Sequence, residues 1–194
     1  PMKLPLFAAA MMALSAPGQA ALFNFSGSII NHSDVVYVSF TLDNDTTGVR
    51  VWTDSYKNGL NFDPITMLWG SNGVMIAGNQ DNPRINPDTQ TAYDSGFVRD
   101  LAAGSYTVTL GAANNFEVSA GHLSEGFVYD SETPVPIFEW NQPWVGAGRL
   151  GGWSIWLDGV DSASGPLNTV PEPSALALLA VGALGGLAMR RRKA

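Results

Sequence analysis

Between residues 21 and 169 the chain alternates apolar and polar positions with a period of two. Val36, Val38, Phe40 and Leu42 are interleaved with Tyr37, Ser39 and Thr41. Tyr106, Val108 and Leu110 alternate with Thr107 and Thr109, and Trp153, Ile155 and Leu157 alternate with Ser154 and Asp158. This is the pattern of half-buried strands. Residues 23–30, 48–54, 65–69, 73–77, 115–118 and 125–129 read as further strands, and no stretch of this region carries a helical period. Turn-forming residues separate them: Asp43-Asn44-Asp45-Thr46-Thr47-Gly48, and Gly70-Ser71-Asn72-Gly73, where Asn-Gly supplies the positive φ angles of a hairpin. Residues 79–94 form a long polar loop with Pro83 and Pro87. Eight or nine short strands with such turns predict an all-β fold, a single antiparallel β-sandwich over residues 21–158. A Gly/Ser/Pro spacer over 159–170 follows it.

The two ends break the pattern. Lys3, an apolar stretch from Leu4 to Leu14 and the small residues up to Ala20 read as a secretory signal peptide over 1–20, cut between Ala20 and Ala21. At the other end, Val170 is followed by Pro171-Glu172-Pro173, then by fifteen uncharged residues from Ala175 to Met189, then by Arg190, Arg191, Arg192 and Lys193. As a helix that run is about 22 Å long, short against a hydrocarbon core of about 30 Å. It predicts a membrane helix over 174–189, with Ser174 as N-cap and the basic cluster held on the cytoplasmic side.

Pro171-Glu172-Pro173, the apolar helix and Arg190-Arg191-Arg192, in that order and over some 25 residues, resemble the PEP-CTERM sorting signal of Gram-negative bacteria. The resemblance implies an exosortase as partner, cleavage near the Pro-Glu-Pro, and transfer of the preceding domain to the cell exterior in organisms that make exopolysaccharide and biofilm. A second resemblance covers about 90 residues. Phe62-Asp63-Pro64-Ile65-Thr66-Met67-Leu68-Trp69, Gly73-Val74-Met75-Ile76-Ala77, Asn79-Gln80-Asp81-Asn82 and Leu101-Ala102-Ala103-Gly104-Ser105-Tyr106-Thr107-Val108 are similar to a subgroup of PEP-CTERM proteins that looks like the bacterial pre-peptidase C-terminal β-sandwich. That resemblance implies a non-catalytic module used for secretion or binding.

Charge sharpens the picture once the ends are set aside. The whole chain carries a formal −7, but residues 21–169 hold sixteen acids against only Arg50, Lys57, Arg84, Arg99 and Arg149, which gives −11. Such a domain is unsuited to nucleic acid or to anionic lipid and suited to divalent cations. There is no cysteine, so zinc–thiolate sites, iron–sulfur clusters and cysteine nucleophiles are excluded. No Gly-x-Ser-x-Gly, His-Glu-x-x-His, P-loop or Gly-x-Gly-x-x-Gly motif occurs, and no enzymatic site is expected.

Two sets of residues carry candidate chemistry. If strands 65–69 and 73–77 pair around Asn72-Gly73, Asp63 and the 79–81 segment meet at the opposite end. Asp63, Asn79, Asp81 and Asp88 then form an oxygen-rich set fit for calcium, the one cofactor the sequence offers. The same residues also read as Asp and Asn capping their own turns. Asp43, Asp45, Thr47, Gly48 and Asp54 follow an EF-hand-like spacing, but Asp54 stands where a bidentate Glu belongs, and a solvated hairpin loop is the better account. In the aromatic-rich 138–156 stretch, Trp153 shares a face with Ile155 and Leu157 and belongs to a core. Trp140, Trp144 and Trp156 are candidates for stacking on sugar rings, against the alternative of inter-strand packing. The sequence thus predicts an exported, non-enzymatic surface or matrix protein, held transiently in the inner membrane and then sorted outside, with a structural or glycan-binding role toward exopolysaccharide. The alternative is a secreted hydrolase acting on extracellular polysaccharide.

Overall fold

The computed structural model describes residues 21–118 and 121–166, so the expected signal peptide over 1–20 and the expected membrane helix over 174–189 lie outside the described residues. Nine strands form two antiparallel sheets: β1 (Ala21–Ser28), β2 (Val36–Leu42), β3 (Thr46–Thr53), β4 (Pro64–Gly70), β5 (Met75–Asn79), β6 (Gly96–Leu101), β7 (Gly104–Ala112), β8 (Gly152–Val160) and β9 (Ser162–Ser164). One sheet has the order β1-β8-β3-β6 and the other β5-β4-β7-β2-β9. The expected β-sandwich is therefore the observed architecture.

The period-two pattern places the core. Phe25, Val49, Val51, Phe97, Ile155 and Leu157 from one sheet meet Val38, Phe40, Leu42, Leu68, Val108 and Leu110 from the other, all buried in one cluster. Trp153 joins them. β4 departs from half-burial, because Ile65, Met67 and Trp69 are buried on the opposite face against Phe127, Met75 and Leu123. Its near-continuous apolar run reflects burial on both faces. Trp69 seals this second cluster with an edge-to-face contact to Phe127 and an Nε1–H donated to Thr109 Oγ1 at 2.9 Å.

Several expected elements differ. The 43–48 turn is not a hairpin loop, since β2 and β3 lie in different sheets and the turn crosses between them. The β4–β5 connection is the predicted hairpin, with Trp69 opposite Met75 and Gly73 at φ +76°. Residues 125–129 are not a strand. Two 3-10 turns, Leu123–Glu125 and Val128–Ser131, occupy this stretch, and the Asp130 carboxylate closes the second by accepting the Phe127 N–H at 2.8 Å. Residues 115–118 contribute only an isolated bridge, Glu117 to Phe127. The expected spacer begins later than 159: β8 runs to Val160, and Ser162–Ser164 pairs with β2.

Candidate functional site

Two regions gather the residues singled out by the sequence. The first is the end of the sandwich where β4 begins and β5 ends. Asp63 immediately precedes β4, and Asn79 closes β5 opposite Thr66. The hairpin thus brings the Asp63 and Asn79–Asp81 segments to one end, as its geometry requires. Asp63 is fully buried, and its main chain is fixed on both sides. Its N–H donates to Gln142 Oε1 at 3.0 Å, and its carbonyl accepts the Ala113 N–H at 2.8 Å. Its carboxylate is not fixed in this way. Both oxygens are buried without a hydrogen-bond partner, and so is Asn79 Oδ1. The ion pairs among the described residues are His32–Glu132 and Arg50–Asp158, and neither reaches Asp63. Burial, reinforced by the negative charges of Asp81 and Asp94, pushes the Asp63 carboxyl up to about 8. Burial also raises Asp81.

Asp88 is exposed in the long loop and is not among the charges that act on Asp63. The acid that acts on Asp63 beside Asp81 is Asp94, a residue the sequence did not single out. Asp94 serves the structure directly. Its Oδ1 accepts from the Ser55 and Tyr56 N–H groups and from Thr53 Oγ1, and its Oδ2 accepts from the Thr91 N–H and Oγ1. One carboxylate therefore ties the long loop to the end of β3. Among the described residues no three His, Asp or Glu side chains gather into a ready-made metal centre. The EF-hand-like set does not converge either: Asp45 Oδ1 accepts the Ala103 N–H at 2.8 Å, while Gly48 N–H is held by Asp100.

The second region is the outer face of the four-stranded sheet. Asn24, Trp156 and Trp52 lie side by side across β1, β8 and β3. Trp156 stacks on the buried Trp52, and the Arg50 guanidinium lies 5.1 Å from the Trp52 ring centre. Beside Trp156 opens a groove of about 490 Å³, lined by Asn24, Asp54, Lys57, Asn61 and Ser154 among others. Asp54 Oδ1 and the Nε1 atoms of both Trp52 and Trp156 are buried without a partner. A hollow of about 330 Å³ on the other sheet has walls rich in serine and threonine and bears no charged side chain.

The other two tryptophans are placed elsewhere. Trp140 is half-buried between His32 and Tyr129, at ring distances of 5.1 and 5.5 Å, and packs on the core. Trp144 is 83 % exposed at a turn where its φ is +69°. The groove that Trp156 lines includes neither of them.

No curated protein matches the chain at a significant level. Residues 169–193 match the family model of the PEP-CTERM protein-sorting motif. The β-sandwich thus precedes a sorting motif that implies export and exosortase sorting at the cell envelope.

Proposed function

We propose that the chain is a non-catalytic surface or matrix protein that binds extracellular polysaccharide through the Trp156 groove. On this reading the apolar run before the terminal arginines holds it transiently in the inner membrane, and exosortase cleavage passes the sandwich to the cell surface or beyond. The observation that carries the binding role is the composition of the groove. Trp156, half-buried, lines the groove together with Asn24, Asp54, Lys57, Asn61 and Ser154. A sugar ring presents an apolar C–H face to an aromatic ring and hydroxyls to short polar side chains. Those hydroxyls are both donors and acceptors, so they match a wall that mixes carboxylate, ammonium, amide and hydroxyl groups.

The test is a titration of the domain with oligosaccharides prepared from the organism's own exopolysaccharide, followed by intrinsic tryptophan fluorescence and by calorimetry. Saturable binding that is lost in Asp54→Ala and weakened in Lys57→Ala supports the reading. Trp144→Ala is the control and leaves binding unchanged. Absence of any heat or fluorescence change at about millimolar sugar, the weak end of ordinary affinities, ends it.

A further inference from the structure

The geometry points to a divalent-cation site of the calcium class at the root of the long loop, made by the Asp63 carboxylate, Asn79 Oδ1 and the Asp81 carboxylate. It is independent of the polysaccharide reading and lies at a different place in the fold.

The argument begins with what is missing around Asp63. A fully buried carboxylate is ordinarily paired with a cation or saturated with N–H donors. Asp94, about as deeply buried, shows the ordinary solution in this same protein, with five accepted hydrogen bonds. Asp63 has none on either oxygen. The neighbouring groups make its position worse. Asp81 and Asp94 act on it as negative charges; at the end of β5, opposite Thr66, Asn79 Oδ1 is another buried oxygen acceptor without a donor. A buried carboxylate that also feels two like charges is stabilised by a positive charge beside it or by keeping its proton.

The donor set suits calcium. Hard cations with six to eight oxygen ligands accept carboxylate and amide oxygens together, with water and main-chain carbonyls completing the shell. Asp63 offers both carboxylate oxygens, Asn79 an amide oxygen, and Asp81, on the exposed side, the remaining charge. Two carboxylates fall short of the three acidic or imidazole groups of a preassembled centre. Such a site binds in the weak range typical of extracellular modules, about 10⁻⁴–10⁻³ M, the regime in which an exported protein meets calcium. The cation would pin the entry to β4 and the exit from β5 to the first residue of the 81–94 loop, whose other end Asp94 already pins to β3.

The rival account is a carboxyl that stays protonated and needs no cation. The two accounts differ in a melting experiment on the purified domain at neutral pH, run in EDTA and again in about 10 mM calcium, well above that weak range. A site of this kind raises the wild-type melting temperature by roughly 5–10 °C. Asp63→Asn removes the charge at constant volume. It therefore melts no lower than wild type in EDTA, yet gains nothing from calcium. Asp81→Asn, at an exposed position, also loses at least half of the shift, whereas Asp88→Asn keeps all of it. Calorimetric titration of EDTA-treated protein with calcium chloride gives one site in the wild type and none in Asp63→Asn. An unchanged wild-type melting temperature, or an Asp63→Asn variant that responds like wild type, overturns the assignment.

Discussion

Trp52 and Trp156 stack across β3 and β8 with their ring planes 5° apart and their centroids 5.9 Å apart. The two rings have unequal duties. Trp52 is 2 % exposed and bears the Arg50 guanidinium on its face, whereas Trp156 is half-buried and lines the groove. Trp52→Ala is expected to cost about 3–5 kcal/mol, the range for a large aromatic removed from a packed site. Trp156→Ala costs less, about 1–3 kcal/mol, because part of its surface is already in water. Urea denaturation followed by circular dichroism gives both values. Equal losses would show that Trp156 is as much a core residue as Trp52 and would weaken its claim to a ligand.

Asp94→Asn tests whether the long loop is held by one side chain. Both oxygens of Asp94 accept, Oδ1 from three donors and Oδ2 from two. An amide has only one acceptor oxygen, so its NH₂ must face N–H or O–H donors whichever way it is turned. The expected loss is about 3 kcal/mol or more. It is accompanied by faster proteolysis within residues 80–93, while the β4–β5 hairpin stays protected. A variant with wild-type stability and an equally resistant loop would mean that other contacts hold it.

The raised Asp63 carboxyl has a direct consequence for stability when divalent cations are chelated. In the unfolded chain an aspartate titrates near 4; in the folded protein burial first, then Asp81 and Asp94, push Asp63 to about 8. Between those values the folded state keeps a proton that the unfolded state has released, so stability falls as pH rises. The penalty is absent below about pH 4 and complete above about pH 8, and each unit of separation corresponds to about 1.4 kcal/mol. Unfolding free energies measured in EDTA from pH 4 to 9 should therefore decline for wild type relative to Asp63→Asn. Parallel curves for the two proteins would show that Asp63 ionises normally.

How far the sequence carries these arguments varies with the reach of the interaction. Trp153, Ile155 and Leu157 announce their common face by alternation alone, and Asp63 is marked by the proline after it and by the hairpin that must return to it. β6 carries no alternation signal, because only Phe97 and Leu101 point inward, while Val98, Arg99 and Asp100 are exposed and the strand opens on a glycine. The 125–129 stretch carries strand-like residues, yet Asp130 captures the Phe127 N–H and closes a 3-10 turn. Alternation also cannot tell a strand which sheet it joins. Apart from β4 and β5, successive strands of this chain pass from one sheet to the other, so most turns are crossovers rather than hairpins. Asp94 was invisible for the same reason. In Asp94-Ser95-Gly96 it reads as a turn residue, and the donors it meets on β3 and just after it lie about 40 residues away in sequence.

Where the sandwich ends bears on what an exosortase leaves behind. β9, Ser162–Ser164, pairs with β2 through Ser39, Phe40 and Thr41, and Thr41 Oγ1 lies 2.6 Å from Ser162 Oγ. A cut before residue 162 would strip an edge strand from the five-stranded sheet and uncover Phe40 and its stacked partner Tyr106. A cut near Pro171-Glu172-Pro173 leaves that strand with the domain. Intact-mass analysis of the exported protein is therefore expected to give a chain from Ala21 to about residue 170, with β9 retained. Removing residues 162–164 from a recombinant domain should lower its stability, by about 1–3 kcal/mol for the loss of a short edge strand. An exported chain that still carries Arg190–Lys193 would show that the C-terminal signal is not processed in this protein.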